Sequence, residues 1–354
     1  MESRHPREKP KTRRPGRRAK RNKRRPREER SPLPQGNGQQ SGVRTAFMER
    51  KPHPLVHVLS VIGALALLTG TVIAQAGRRS PSESGVKALT VPVIIESAPG
   101  PLDQLVLTRD QLELYDGGVA QQIQYFRPDY SPAKIVVLVD NSERLPATIR
   151  DMTRAVKALV ANLCEGDQMM IIGYDEQPEI IEDFTSDAKK LEAATALFRK
   201  KGAPRLLDAI EATIQDVFRL QVGITKRILI LISDGYDWES RTPFKTVITH
   251  LEQENIVTYV LQAPDRTYGA SRRRALKPVA LIKKLTKGTG GRIFPLNKVQ
   301  RAAREILQEV SERWYQLTYR PKGVDPLTTR RLLVIANDPR IRLRTKLEQP
   351  GVRF

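Results

Sequence analysis

The chain has 354 residues, one Cys, four His and a formal charge of +22. The single cysteine, Cys164, excludes an internal disulfide and a multi-cysteine zinc site. His5, His53 and His57 lie before or within a leading apolar segment, so His250 alone remains for the body of the chain. His-based triads and His-rich metal centres have almost no residues to draw on, and His250 reads as part of a polar helix face.

The charge is uneven. Residues 1–76 hold 18 Lys+Arg against 5 Asp+Glu, while the rest holds 43 against 34. Residues 1–47 have too few apolar side chains for a core and read as a basic disordered arm, or as sequence ahead of the true start at Met48. Such an arm suits nucleic acid or anionic lipid. Residues 48–76 open on a short basic stretch, run uncharged and apolar from Leu55 to Ala74, and end in Ala74-Gln75-Ala76. That is the pattern of a signal peptide cleaved near Ala76. The run of about 20 residues also suffices for a single-pass anchor in the membrane. Both readings place the folded part outside the cytoplasm, as a periplasmic, secreted or membrane-anchored protein of the cell envelope. Both argue against nucleic acid as the partner of that part.

Residues 77–88 form a polar linker. Residues 89–132 alternate in short runs and predict a small β element, with Asp116-Gly117-Gly118 as a hairpin turn and Pro92 favouring an edge strand. From 133 the pattern changes. "KIVVLVD", "QMMIIGY", "RILILIS" and "IVTYVLQ" are continuous apolar runs, which predict strands buried on both faces. Between them lie stripes at helical spacing: Ile149, Met152, Val156, Leu159 and Leu163, then Leu207, Ile210, Ile214 and Val217, then Phe244, Val247, Ile248 and Leu251. A last stripe holds Val299, Ala303, Ile306 and Val310. Residues 133–312 therefore predict an α/β fold, a doubly wound, mostly parallel sheet with helices on both faces. Residues 313–354 return to β character as a C-terminal extension, so small β elements flank the α/β unit.

In such sheets ligands bind beyond the carboxyl ends of the strands. Asp140 and Asp234 both close apolar strands there. Three loops can converge: Asp140-Asn141-Ser142-Glu143-Arg144, "KKGAPRLLDAI" before the helix of Leu207, and "LISDGYDWESR" with Asp234 and Asp237. With "DQLELYDGGVAQQIQYF" ahead and "LTKGTGGRIFPL" and "WYQLTYRP" behind, the order resembles the von Willebrand factor type A domain, and within it the related subgroup of acidobacterial proteins. The likeness covers roughly residues 89–354.

The resemblance implies a metal-ion-dependent adhesion site. The family holds Mg²⁺ or Mn²⁺ with an Asp-x-Ser-x-Ser loop, a Thr from a second loop and an Asp from a third, and a partner carboxylate completes the shell. Asp140, Ser142 and Asp234 match that set. Arg144 stands in place of the second Ser, and Pro204 in place of the Thr. Neither offers a side-chain acceptor. Two readings follow: a site filled by arginine, with Arg144 between Asp140 and Asp234, or a weakened Mg²⁺ site with waters for the lost hydroxyls; Arg144 can also turn outward, since it follows the strand in a loop. Asn141, Arg144, Arg205, Asp237 and Trp238 are the candidates for contact with a protein partner.

"GTGGR", Gly288 to Arg292, precedes a strand and so reads as a turn rather than a phosphate loop. "SRRRALK", Ser271 to Lys277, reads as a solvated basic loop, and Cys164 as a small buried apolar residue. No nucleophile–base pair, nucleotide fingerprint or catalytic carboxylate pair is present. The expectation is a non-enzymatic, protein-binding module of adhesion or scaffold type. The alternatives are a structural envelope scaffold with an idle top face, and nucleic-acid or lipid binding through the basic arm.

Overall fold

Strand β1 (Leu89–Ser97) opens a β module that continues through β2 (Leu112–Asp116), β3 (Val119–Gln121) and β4 (Ile123–Pro128). The structure, a computed structural model, describes residues 87–100, 105, 107–223, 225–269 and 276–351. The basic arm, segment 48–76 and most of the linker lie outside the described residues, as do Ser271 to Ala275. Among the described residues no helix is long and apolar enough to cross a membrane.

The α/β unit follows. Its elements are β5 (Ala133–Asp140), α1 (Ile149–Val160), β6 (Gln168–Tyr174), β7 (Pro178–Thr185), α2 (Ala188–Ala194), α3 (Leu206–Ala212) and β8 (Lys226–Ser233). Then come α4 (Phe244–Gln253), β9 (Val257–Gln262), α5 (Pro278–Thr289), β10 (Ile293–Pro295) and α6 (Val299–Glu312). The sheet order is β10-β9-β8-β5-β6-β7, parallel throughout except for the β6–β7 pair. Side chains alternate across it. Ile135, Val137 and Val139 pack under α1, α2 and α6, while Val136 and Leu138 pack under α3, α4 and α5. The doubly wound sheet expected from the unbroken apolar runs is present.

Local chemistry explains the helix ends. Thr148 and Asp151 form a reciprocal capping box on α1, with Asp151 N donating to Thr148 Oγ1 at 3.1 Å and Thr148 N to Asp151 Oδ2 at 3.0 Å. Pro278 starts α5, and Gly290, at φ +83°, ends it in the left-handed conformation that a side chain would strain. The "GTGGR" turn is thus a helix cap.

After α6 the chain returns to the β module as β11 (Trp314–Tyr319), β12 (Arg330–Ala336), β13 (Arg342–Arg344) and β14 (Glu348–Gln349). The strands before and after the α/β unit interleave. One sheet runs β13-β1-β11-β4 and the other β14-β12-β2-β3. They share one core containing Val91, Val93, Leu114, Leu317, Tyr319 and Leu332. A buried bond set ties them, with Arg330 Nε donating to Asp116 Oδ1 at 2.8 Å and Tyr319 OH to Asp116 Oδ2 at 2.9 Å.

Three local expectations need correction. Pro92 lies in an interior strand, but β13 pairs only with Ile94, Ile95 and Ser97. Ile95 N donates to Arg313 O on the β11 side, so alternation turns the Pro92 nitrogen the other way, beyond the end of β13, and no ladder bond is lost. Ile149, assigned to the apolar stripe of α1, sits in its first turn and is 40% exposed. Cys164 is half-buried rather than buried, because α1 ends at Val160, before it.

Candidate functional site

Strands β5 and β8 are neighbours, so Asp140 and Asp234, at and just past their carboxyl ends, meet at the top of the sheet. Both carboxylates are buried. Asp140 Oδ1 accepts from Ser142 N at 2.9 Å and also from Ser142 Oγ. Tyr174 OH donates to Ser233 Oγ at 3.0 Å, and Ser233 Oγ to Asp140 Oδ2 at 3.3 Å. Asp234 Oδ1 accepts from Tyr236 N at 3.0 Å.

An arginine lies between the two carboxylates, and it is Arg266, from the loop after β9. Its Nη2 donates to Asp140 Oδ2 at 2.6 Å and to Asp234 Oδ1 at 3.0 Å. Its Nε donates to Asp234 Oδ2 at 2.7 Å, and its Nη1 to Ser142 Oγ at 2.8 Å. Its backbone N also donates to Asp234 Oδ2 at 3.0 Å. The side chain is 8% exposed. The Tyr236 ring lies 5.3 Å from the guanidinium carbon, a cation–π distance. Asp265 holds the loop by accepting from Thr267 N at 2.8 Å and Gly269 N at 3.2 Å.

The electrostatics are those of a buried charge cluster. Burial pushes the Asp140 carboxyl up, against the opposing pull of Arg266 and the Ser142 bonds. Burial also works against the charged form of Arg266, but the Asp234 hydrogen bond and the two carboxylates outweigh it and hold the guanidinium above its ordinary value. Burial pushes the Tyr174 hydroxyl up as well, with Asp140 adding to the effect.

The donor set does not fit a divalent cation. The guanidinium takes the oxygens of Asp140, Ser142 and Asp234 that a hard ion would need. Pro204 is buried and brings no side-chain oxygen, and Arg144 brings a second cation. Among the described residues no cluster of three His, Cys, Asp or Glu groups could hold a metal.

The arginine-filled reading put Arg144 between the carboxylates, and the structure corrects it: Arg266 takes that place, while Arg144 follows the outward alternative. Arg144 is exposed, on the rim. It lines a cleft of about 370 Å³ with Glu143, Glu176, Pro204, Trp238 and Arg266. Trp238 is 36% exposed, tilts against Tyr236 at 6.2 Å between ring centres, and donates its backbone N to Pro204 O at 2.7 Å.

The other expected contact residues are placed differently. Asn141 is buried, its N donating to Tyr174 O at 2.8 Å and its O accepting from Lys201 N at 2.9 Å. Asp237 Oδ1 accepts from Leu207 N at 3.1 Å and Ser240 Oγ at 2.6 Å, so its carboxylate serves the first turn of α3. Arg205 is half-buried at the N-cap of α3, with a backbone bond from its N to Asp175 O. Neither Asn141, Asp237 nor Arg205 lines the cleft. Sequence reasoning missed Arg266. The available signal was "APDRTYG", a loop leaving the strand beside β8, where a long cationic arm reaches two carboxylates at adjacent strand ends.

Residues 135–236 match the profile of the von Willebrand factor type A domain family. No curated protein matches the chain. Among solved structures, the chain is similar to an aerotolerance-related membrane protein from Bacteroides fragilis, with 19% identity and a TM-score of 0.40 over 50% of this chain and 98% of that one. It is similar to the conserved hypothetical protein BatB from Bacteroides thetaiotaomicron, with 18% identity and a TM-score of 0.40 over 51% and 97%. It is also similar to proximal thread matrix protein 1 from the mussel byssus, with 14% identity and a TM-score of 0.41 over 55% and 50%. Within the α/β unit, residues 135–236 thus carry the match to the von Willebrand factor type A domain.

Proposed function

We propose that this chain is a non-enzymatic, protein-binding module of the cell envelope whose top face works without a divalent cation. The observation that carries the reading is the Arg266 bridge between Asp140 and Asp234 beside an open cleft. Five N–H groups belong to a guanidinium. Four are engaged by Asp140, Ser142 and Asp234, which leaves one on Nη1 for a ligand.

A partner carboxylate at the cleft meets that N–H and the Arg144 side chain, and Trp238 gives it an aromatic wall. The family's adhesion geometry is kept in outline, with a fixed cation above two aspartates, but the cation is part of the chain. The basic–apolar–small pattern of residues 48–76 supports export, and with it a protein partner rather than nucleic acid.

A photo-crosslinking side chain in place of Trp238 tests this in whole cells. The expected result is a discrete adduct that persists in EDTA and is lost when Arg144→Glu is added. An adduct abolished by EDTA, or one indifferent to Arg144→Glu, refutes the reading.

A further inference from the structure

The β module carries an unfinished edge. Strand β12 pairs with β2 from Leu332 to Ala336, but on its other side β14 pairs only with Arg330 and Arg331. Arg331 O accepts from Gly117 N on the β2 side, and Leu332 N donates to Leu347 O on the opposite side, both at 2.8 Å. Alternation along the strand therefore turns the N–H and C=O of Val334 and Ala336 away from β2. Among the described residues nothing on that side pairs with them. Both residues are largely buried, at 8% and 7% exposure. That burial is of side chains turned into the shared core, and edge backbone groups without a partner strand are a template for an added one.

A cleft of about 450 Å³ lies against this edge, lined in part by Leu332, Leu333, Val334, Ile293, Leu343 and Leu347. Four cations also line it, and no carboxylate does. Two of them, Arg292 and Arg344, are engaged by Glu309. The other two, Lys283 and Lys287, are exposed on α5. On the outer face of β12, Leu333 and Ile335 are 44% and 41% exposed.

We propose that the free edge of β12 is a strand-addition site for an extended segment of a protein partner that alternates apolar residues with carboxylates. Main-chain bonds from Val334 and Ala336 hold such a segment in register. Its apolar side chains lie beside Leu333 and Ile335, and its carboxylates reach Lys283 and Lys287. A basic segment meets an uncompensated positive rim and is disfavoured. This surface is separate from the top-face cleft and does not depend on the function proposed for it.

The test pans a displayed library of random extended peptides on the full chain, with the Lys283→Glu, Lys287→Glu variant and the Val334→Pro variant in parallel. Val334→Pro removes an edge donor and no bond of the β2 ladder. The expected result is enrichment of peptides that alternate apolar and acidic residues. Selected peptides should bind about tenfold or more weakly to each variant, and should slow amide exchange at Val334 and Ala336 in the native chain. No enrichment, enrichment that survives the lysine reversal (capture by the basic N-terminal arm included), or unchanged exchange at those amides overturns the proposal. Should Val334→Pro fail to fold, the lysine variant decides, because both its changes are on an exposed helix face.

Discussion

Arg266 Nη2 lies 2.6 Å from Asp140 Oδ2 and 3.0 Å from Asp234 Oδ1, so one nitrogen bridges buried carboxylates from neighbouring strands. The second carboxylate is bound twice, since Nε reaches Asp234 Oδ2 as well. The fork geometry of arginine permits this, and a lysine ammonium does not reproduce it.

Removing that cation should be severe. Arg266→Met leaves two buried carboxylates facing each other, and breaking one partner out of a buried pair costs on the order of 3–5 kcal/mol. Denaturant unfolding is the measurement. Adding Asp140→Asn and Asp234→Asn to the same chain should recover much of the loss, since no buried charge then remains unpaired. A full-strength Arg266→Met protein would remove the bridge from the account of stability.

Metal dependence gives a second outcome. Calorimetric titration of Mg²⁺ and Mn²⁺ into the chelator-treated native chain should show no binding at this site. Arg144→Ser with Pro204→Thr should also fail, because Arg266 still holds the aspartates. Binding should appear only when Arg266→Ser joins them, which restores hydroxyls and frees the carboxylates. Stoichiometric Mn²⁺ uptake by the native chain would contradict this.

Asp237 makes a prediction about the second loop. Its carboxylate accepts from Leu207 N at the start of α3, a cap supplied from another segment. Asp237→Ala should cost about 1 kcal/mol by chemical denaturation, and Asp237→Asn should cost less. Binding at the cleft should be lowered only in proportion to that lost stability.

The fourth prediction concerns pH. Glu252 is buried, and its carboxyl is pushed up to about 8, by burial first and by Glu348 second. Its neighbour Lys346, which donates to Glu252 O and Asn255 Oδ1 at 2.8 Å each, is pushed down to about 7 by burial. The folded chain thus binds a proton at Glu252 that the unfolded chain releases near the ordinary value of 4.5. This contribution to stability is fully present below 4.5 and is lost as pH rises through about 8. Between about pH 5 and pH 6 Lys346 stays charged in both states, so Glu252 dominates there, with a slope of at most roughly 1.4 kcal/mol per pH unit. Glu252→Gln should flatten that slope. Unfolding midpoints taken at half-unit intervals across the window would show it, and an unchanged slope would exclude Glu252 as its source.

The fold was legible because the strands of the α/β unit are buried on both faces and the chain writes them as unbroken apolar runs. The period of α6 was equally plain, with Val299, Ala303, Ile306 and Val310 all buried. The interleaving of β1 to β4 with β11 to β14 was not legible, since alternation specifies a strand but not its partner. Asp140 and Asp234 could be placed at the top of the sheet from strand ends alone. Arg266 could not, because a side chain of its length can reach from any of several loops and the choice depends on backbone bonds such as Arg266 N to Asp234. Nor does sequence distinguish a carboxylate offered to solvent from one that caps a helix in another loop, as Asp237 does.

The α/β unit leaves the β module through β4 and returns through β11, and these two strands are hydrogen-bonded neighbours, with Tyr315 opposite Pro128. Strand β11 also pairs with β1 from Leu89 to Ile94. The inserted unit is also tied back to that module away from the junction, by Leu347 N to Gly288 O at 2.8 Å, Asn255 Nδ2 to Thr90 O at 2.9 Å and Arg344 Nη2 to Glu309 Oε2 at 2.6 Å. Host and insertion should therefore melt in a single cooperative transition.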